Sequence, residues 1–223
     1  MSQASLPPAQ NDLKTERSRL RRAHERGLYD RATIDAVLAA MPLAQIAYVL
    51  DGAPSLLPTL QWREGDYVYW HGSAASRALR AMEGSQVCLS VSCLDGYVLA
   101  RSAFHHSVNY RSVVLFGEAE RVHGAHAEQS YERMFDAWFP GRWQTLRPMT
   151  AKEVKATAVM RMPITEGAAK VRTGGPKDDL EDYDLPIWAG VVPISMVLHP
   201  ALDDEKAPKP LPQPEHLSRI ELG

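Results

Sequence analysis

The run Tyr67-Val68-Tyr69-Trp70-His71-Gly72-Ser73-Ala74-Ala75-Ser76-Arg77-Ala78-Leu79-Arg80 decides the fold. Its first five residues are aromatic or β-branched apart from the closing histidine, a composition that suits a pleated, half-buried strand. Gly72 breaks that strand, and Ser73 to Met82 reads as a short helix. A strand that passes through glycine and small hydroxyl residues into a helix leaves backbone N–H groups free, and such groups attract anions. Ser73 and Ser76 add hydroxyl donors, and Arg77 adds a planar fork suited to phosphate. The competing reading is an N-capping serine with solvent-facing arginines, and spacing alone does not separate the two. No P-loop or dinucleotide fingerprint is present.

Upstream, Asp30 is placed to cap a helix whose apolar residues run from Ala32 to Leu38 at helical spacing. Ile46 to Leu50 is a strand ending at Asp51-Gly52, a hairpin signal, and Ser55 to Trp62 is the next strand. Arg63-Glu64-Gly65-Asp66 turns the chain into Tyr67. Downstream, strands are expected over Gln86 to Leu94, followed by an Asp95-Gly96 turn, and over Tyr110 to Val122. A helix from His126 to Phe139 is stopped by Pro140-Gly141. Val154 to Met162 reads as a sixth strand and Ile187 to Leu198 as a seventh, with Pro193 marking an edge or a bulge. Thr165 to Pro186 reads as a charged, glycine-bearing linker. Beyond Asp203 the prolines at 208, 210, 212 and 214 point to an extended tail. Mostly antiparallel strands with few helices give an α+β, mainly β, domain or a small closed barrel. Residues 1–29 read as an arm, 30–200 as the domain and 201–223 as the tail.

Composition narrows the function classes. With 223 residues, 45% hydrophobic and 23% charged, the chain can bury an ordinary core. A net charge of −2 gives no global signal for nucleic acid or an anionic membrane. No apolar run reaches the roughly 18–20 residues of a membrane span. Met1 to Asn11 lacks the basic start and apolar stretch of a secretory signal, so a cytoplasmic location is expected. Cys88 and Cys93 lie five apart on one strand, about 17 Å from each other at strand rise, too far for a disulfide.

Two further stretches carry chemistry. Ala100-Arg101-Ser102-Ala103-Phe104-His105-His106-Ser107-Val108-Asn109-Tyr110-Arg111-Ser112 is dense in donors and opens the longest strand, a place where ligand contacts are common. His105 and His106 are neighbours on an extended chain and point apart, and no zinc spacing is present, so no metal site is expected. Ile187-Trp188-Ala189-Gly190-Val191-Val192-Pro193 offers either core packing or a flat wall for an aromatic ligand.

Together these stretches resemble the pyridoxamine 5′-phosphate oxidase-like superfamily of FMN-binding split barrels, in particular its branch of flavin-nucleotide-binding proteins related to the nitroimidazole-resistance proteins. The residues that carry the resemblance are His71 to Arg77, Arg101 to Val113, Lys170-Val171-Arg172-Thr173-Gly174 with Pro176-Lys177-Asp178-Asp179, and the tryptophan-glycine run from Trp188 to Pro193. The match spans Asp30 to Leu198. It implies a split β-barrel with flanking helices, FMN at the interface of a homodimer, and a small-molecule substrate. Ser73, Ser76 and Arg77 would hold the phosphate. Pro58, Thr59 and Leu60, with Tyr69, Trp70 and His71, would line the ring and ribityl chain. Asn109, Arg111 and Ser112 would face the cofactor, and Trp188 would arrive from the partner. The same resemblance sets His105, His106, Lys170 and Arg172 beside the substrate. The substrate-phosphate signature of the oxidases is missing, since Val197 is followed by Leu198-His199-Pro200-Ala201-Leu202.

Two function classes remain open at this level. One is an FMN-dependent oxidoreductase, a reductase or an oxidase, with His71 as a proton donor or substrate anchor. The other is a split barrel that binds flavin or haem for storage or sensing without turnover, with His216 of the tail as a haem ligand. Related barrels that use deazaflavin supply a third cofactor.

Overall fold

The computed structural model describes residues 12–222 except 208 and 210. The expectations for Met1 to Asn11 and for Pro208 and Pro210 therefore fall outside the described residues. Ten strands and four helices follow one another as β1 (Gly27–Leu28), α1 (Arg31–Ala39), β2 (Leu43–Leu50), β3 (Ala53–Glu64), β4 (Tyr67–Ser73), α2 (Arg77–Met82), β5 (Gln86–Leu99), β6 (Ser107–Glu118), β7 (Glu120–Val122), α3 (Ala125–Trp138), α4 (Ala151–Ala156), β8 (Thr157–Pro163), β9 (Gly167–Arg172) and β10 (Gly190–Pro193). All strand pairs are antiparallel, in the order β1-β9-β6-β5-β2-β3-β4-β8-β7, with β10 added on β5.

The barrel is split because single strands serve both of its halves. The β3 strand pairs with β2 over Ala53 to Leu60 and with β4 over Gln61 to Glu64. The β5 strand likewise pairs with β2 around Cys88 to Ser90 and with β10 over Gly96 to Leu99. The β2–β3 hairpin turns at Asp51 and Gly52, whose φ values of 52° and 79° have the sign pattern of a two-residue I′ turn. Inward residues of every long strand, among them Ile46, Val68, Trp70, Leu89, Val113, Leu115 and Met160, form one buried core. The α1 helix closes one end of it with Ile34, Val37 and Leu38, and Asp30 caps that helix by accepting from the Thr33 N–H at 2.8 Å. Gln61 holds the helix to β3, donating to the carbonyls of Leu38 and Met41.

A second cluster lies outside the barrel. The α3 helix packs Met134 and Trp138 onto Trp62, Tyr69 and Val159, the outward residues of β3, β4 and β8. The Trp138 indole N–H donates to the Gln61 carbonyl beneath it.

Several sequence expectations change. Asp95-Gly96 is a bulge within β5 rather than a turn, with the register shifting between Leu94 and Gly96. The stretch read as one strand from Val154 begins in α4, whose capping box joins Thr150 and Glu153, and becomes strand at Thr157. The expected linker from Thr165 contains β9, which pairs along β6. Only Gly190–Pro193 of the seventh strand is paired, and Pro193 does sit on an edge. The start of helix Ser73 to Met82 moves to Arg77. The tail is not wholly extended: a 3₁₀ turn over Glu215–Arg219 buries His216 against Gly141, where an added Cβ would stand 3.0 Å from the histidine Cβ.

Candidate functional site

Residues opposite one another on paired strands share a face, and the register assigns each candidate to one side of the sheet. Pro58 faces outward with Gln45 and Ser90; Ser112 and Lys170 lie on that same outer face. The face is only partly covered. Over β3 and β4 the α3 helix shields Trp62 and Tyr69, and the cover ends near His71. Two residues on, Ser73 leaves the same face and the chain turns into α2. The edge of the α3 cover therefore meets the hydroxyl-rich turn.

In that turn the Ser73 Oγ accepts from the Ala75 N–H at 3.2 Å, and Ser76 caps α2 by accepting from the Leu79 N–H at 3.4 Å. Both hydroxyl protons point away from these backbone contacts and remain donors. Arg77 meets Asp51 at 2.9 Å, but both side chains are more than two-thirds exposed. Water screens such a pair to little net value, and the guanidinium is available to an anion. The Thr59 hydroxyl donates to the His71 carbonyl at 3.4 Å, tying β3 to the strand that feeds the turn.

Trp70 and His71 do not line one face together in the way the resemblance implies. Neighbours on a strand point apart, and Trp70 is an inward core residue with 0% exposure, offering no face to a ligand. The His71 ring lies under α3, 5.1 Å from Tyr131 edge-on and 6.0 Å from Trp62. Its Nδ1 is buried without a partner. Burial pushes its pKa below the ordinary histidine value, so the ring is neutral at pH 7. A neutral imidazole accepts a proton or ligates iron; it is not the charged acid that an unperturbed histidine partly supplies near pH 6.5.

The long strand divides its candidates. Asn109 and Arg111 share the inward side of β6 with Val113, opposite to Ser112, so the three do not face one ligand together. Arg111 is bound bidentately to Asp95, at 3.1 and 3.0 Å. Asn109 is buried, donating to the Gly174 carbonyl and accepting from Arg172. Arg172 is buried with carbonyl partners only, and desolvation, aided by Arg26, lowers its pKa. Asn109 and Arg172 brace the loop after β9, and Arg111 braces the β5 bulge, rather than lining the open face.

The loop before β6 is held by its neighbour. The Arg101 backbone N–H and guanidinium both bind Asp178, at 3.0 and 2.9 Å. Burial acts to raise the Asp178 carboxyl, and Arg101 overcomes it, leaving the group below its ordinary value. His105 Nε2 stands 3.3 Å from Asp179, and His106 Nδ1 bonds the Ser102 carbonyl at 2.9 Å. Phe104, just before them, is 88% exposed. Trp188, also exposed, lies two residues before β10 at the edge of β5. No group of three His, Cys, Asp or Glu among the described residues is placed to hold a metal ion, and no helix among them is long and apolar enough to cross a membrane.

Two cavities flank this face. One of about 840 Å³ lies between the end of α3 and the tail, walled by Phe135, Phe139, Leu211, Leu217 and His216, whose Nε2 is buried and unpartnered. The other, of about 340 Å³, lies between α3 and the segment from Trp143 to Val154. Sequence reasoning missed this segment; its one signal was the Thr150-x-x-Glu153 capping pattern.

The fold is thus a split barrel with an open outer face beside a hydroxyl-rich turn. The chain belongs to the pyridoxamine 5′-phosphate oxidase-like family: the family model described as pyridoxamine 5′-phosphate oxidase matches residues 30–171. Among solved structures it is similar to a flavocytochrome from Azotobacter vinelandii, with 44% identity over 94% of this chain and 98% of that one, at a TM-score of 0.90. It is similar to a FAD and haem binding protein from Mycobacterium smegmatis, with 35% identity over 87% and 97% of the two chains, at a TM-score of 0.83. A protein described as a 5-nitroimidazole antibiotic resistance protein from Bacteroides thetaiotaomicron shares the fold, at 16% identity over 65% and 86% of the chains and a TM-score of 0.55. No curated protein matches the chain.

Proposed function

We propose that this protein is a flavin-dependent oxidoreductase of a small molecule, acting as a homodimer with the FMN portion of its flavin at the subunit interface. The observation that carries the reading is the junction of the uncovered outer face with the Ser73–Arg77 turn. A phosphate held by the Ser73 and Ser76 hydroxyls and Arg77 sets the attached ribityl chain and ring along Pro58 and Ser112. The ring then lies on the open face, where a second copy covers it, and Trp188 and Phe104, both exposed, are suited to that covering role. The flavin would supply hydride or single-electron chemistry. The protein's part is to bind and orient it, and His71, neutral and half-buried, accepts or relays a proton at Nε2.

A second reading, a split barrel that binds flavin and haem together, is favoured by the two most similar of the structures named above, each described with both a flavin and a haem function. Two histidines of this chain fit such a group. His71 is kept neutral by burial, as a haem ligand must be, and His216 carries an unpartnered nitrogen at the wall of the larger cavity.

The test is a fluorescence titration of cofactor-free protein with FMN. Arg77→Ala should weaken binding by about 1.5–3 kcal/mol, the value of a charge-assisted contact, and Arg80→Ala, one turn further along α2, should leave it unchanged. Equal affinities in the two variants would remove the phosphate assignment. A Soret band in the purified protein, or on haem titration, would establish the second reading.

A further inference from the structure

The open outer face changes character toward β9. One row across it is Ser92, Ser112 and Lys170, opposite one another on β5, β6 and β9, with Gly27 of β1 beyond them. The next row is Leu94, Tyr110 and Arg172. Neighbouring strands lie about 4.8 Å apart, so Lys170 stands one such step past Ser112, where the flavin ring ends in the reading above. Three cations gather at this edge. Lys170 makes no ion pair among the described residues. Arg26, just before β1, has Glu25 beside it at 3.5 Å, and that carboxylate is 59% exposed. Arg172 is only 8% exposed, yet its terminal nitrogens go to uncharged oxygens, those of Asn109 and Gly175. Desolvation lowers the Arg172 pKa, and the nearby Arg26 lowers it further. A buried guanidinium without a carboxylate is costly, and a second cation beside it adds to the cost.

We infer that this edge holds an oxyanion, a carboxylate or a phosphate, carried by the small-molecule substrate. The inference rests on the flavin reading above and gives it a substrate class: a flat or apolar body with one anionic end. Lys170 and Arg26 make the contacts, as the two cations with donors to spare. Arg172, its terminal nitrogens engaged, supplies fixed positive charge from behind them. Under the cover of a second copy such charge is screened less than at an open surface. Tyr110, half-buried, and Leu94, 44% exposed, lie in the same row as Arg172 and offer the body an aromatic and an apolar contact. With its anion past Ser112, the rest of the substrate lies back over the ring. These cations come from β9 and the segment before β1, not from the strand after Trp188, so the missing oxidase signature does not speak against an anionic substrate.

The experiment titrates flavin-loaded protein with benzoate, with phenyl phosphate and with neutral benzamide, following the change in flavin absorbance. One of the two anions should bind about ten-fold or more tighter than benzamide, and the tighter of them identifies the oxyanion as carboxylate or phosphate. That preference should shrink as salt is added. Lys170→Ala should weaken the anion by about ten-fold, the loss of one charge-assisted contact, and Lys170→Arg should keep most of the affinity. Arg26→Ala should weaken it by a smaller factor, because water reaches that side chain. None of the three variants should alter benzamide or flavin affinity. Anions that bind no better than benzamide, or a preference unmoved in both alanine variants, would overturn the inference and leave the flavin reading standing. A loss of flavin affinity in Lys170→Ala would overturn it too, since the cations would then serve the cofactor. A wild-type protein that takes up no flavin would overturn both.

Discussion

The outer surface of the barrel has two halves that differ in what covers them. Over β3, β4 and β8 the chain supplies its own cover: α3 lays Met134 and Trp138 across Trp62, Tyr69 and Val159. Over β2, β3 and β5 none of the described residues does so, and Val49 and Leu56 are 61% and 60% exposed beside Leu43 and Tyr97. Both faces carry apolar side chains at alternate strand positions. The difference lies in the partner: one half is finished within the subunit, and the other leaves an apolar surface that marks an interaction site.

The strongest way to break this comparison is to remove the internal cover. Trp138→Ala should destabilise the fold by about 3–5 kcal/mol, since it empties a buried indole site and leaves the Gln61 carbonyl unpaired. Urea denaturation measures this, and a shift under 1 kcal/mol would mean that α3 is a loose appendage. Less effect on folding, but more on assembly, is expected from the open half. Leu56→Glu should change the stability of the subunit by no more than about 0.5 kcal/mol, as exposed substitutions do. It should nonetheless dissociate the proposed homodimer into particles near the monomer mass of 24.8 kDa in light scattering. A variant that stays dimeric would move the interface elsewhere.

These two halves were not equally legible in the sequence. The alternation in Tyr67 to His71 was enough to find β4, but a period of two says only that His71 and Trp70 part company, not which of them faces the core or what lies over the other. The Asn109, Arg111 and Ser112 set divides for the same reason, since the family resemblance names residues and the strand pleat sorts them onto two sides. The β9 strand was hidden because Gly167, Ala168 and Ala169 lack the bulk that marks a strand. Gly167 is small by necessity: a Cβ there would come within 2.5 Å of the Leu115 side chain and 2.7 Å of the Val114 carbonyl. Both the hairpin at Asp51-Gly52 and the cap at Asp30 were readable, because each depends on local geometry alone.

The smallest effect concerns that cap, on the helix that closes one end of the barrel. Asp30→Ala should cost about 1 kcal/mol at pH 7. Hydrogen bonding to the Thr33 N–H lowers the Asp30 pKa in the folded protein. A carboxyl whose native pKa is depressed stabilises the fold above its unfolded value near 3.9 and loses that contribution as pH falls through the native value. The gap in urea midpoint between wild type and Asp30→Ala should therefore be full at pH 7 and close on acidification. A constant gap would assign the cost to something other than the charged cap.

The order of the strands has a consequence during synthesis. The β4 strand waits for β8, and β6 waits for β9, whose partners lie some dozens of residues further on, beyond α3. A nascent chain that has just emerged through Trp138 presents β4 and β6 as bare edges, the kind of template on which other strands add. Ribosomes deliver residues at about 5–20 per second, so those edges stay open for seconds before Arg172 can close the second of them.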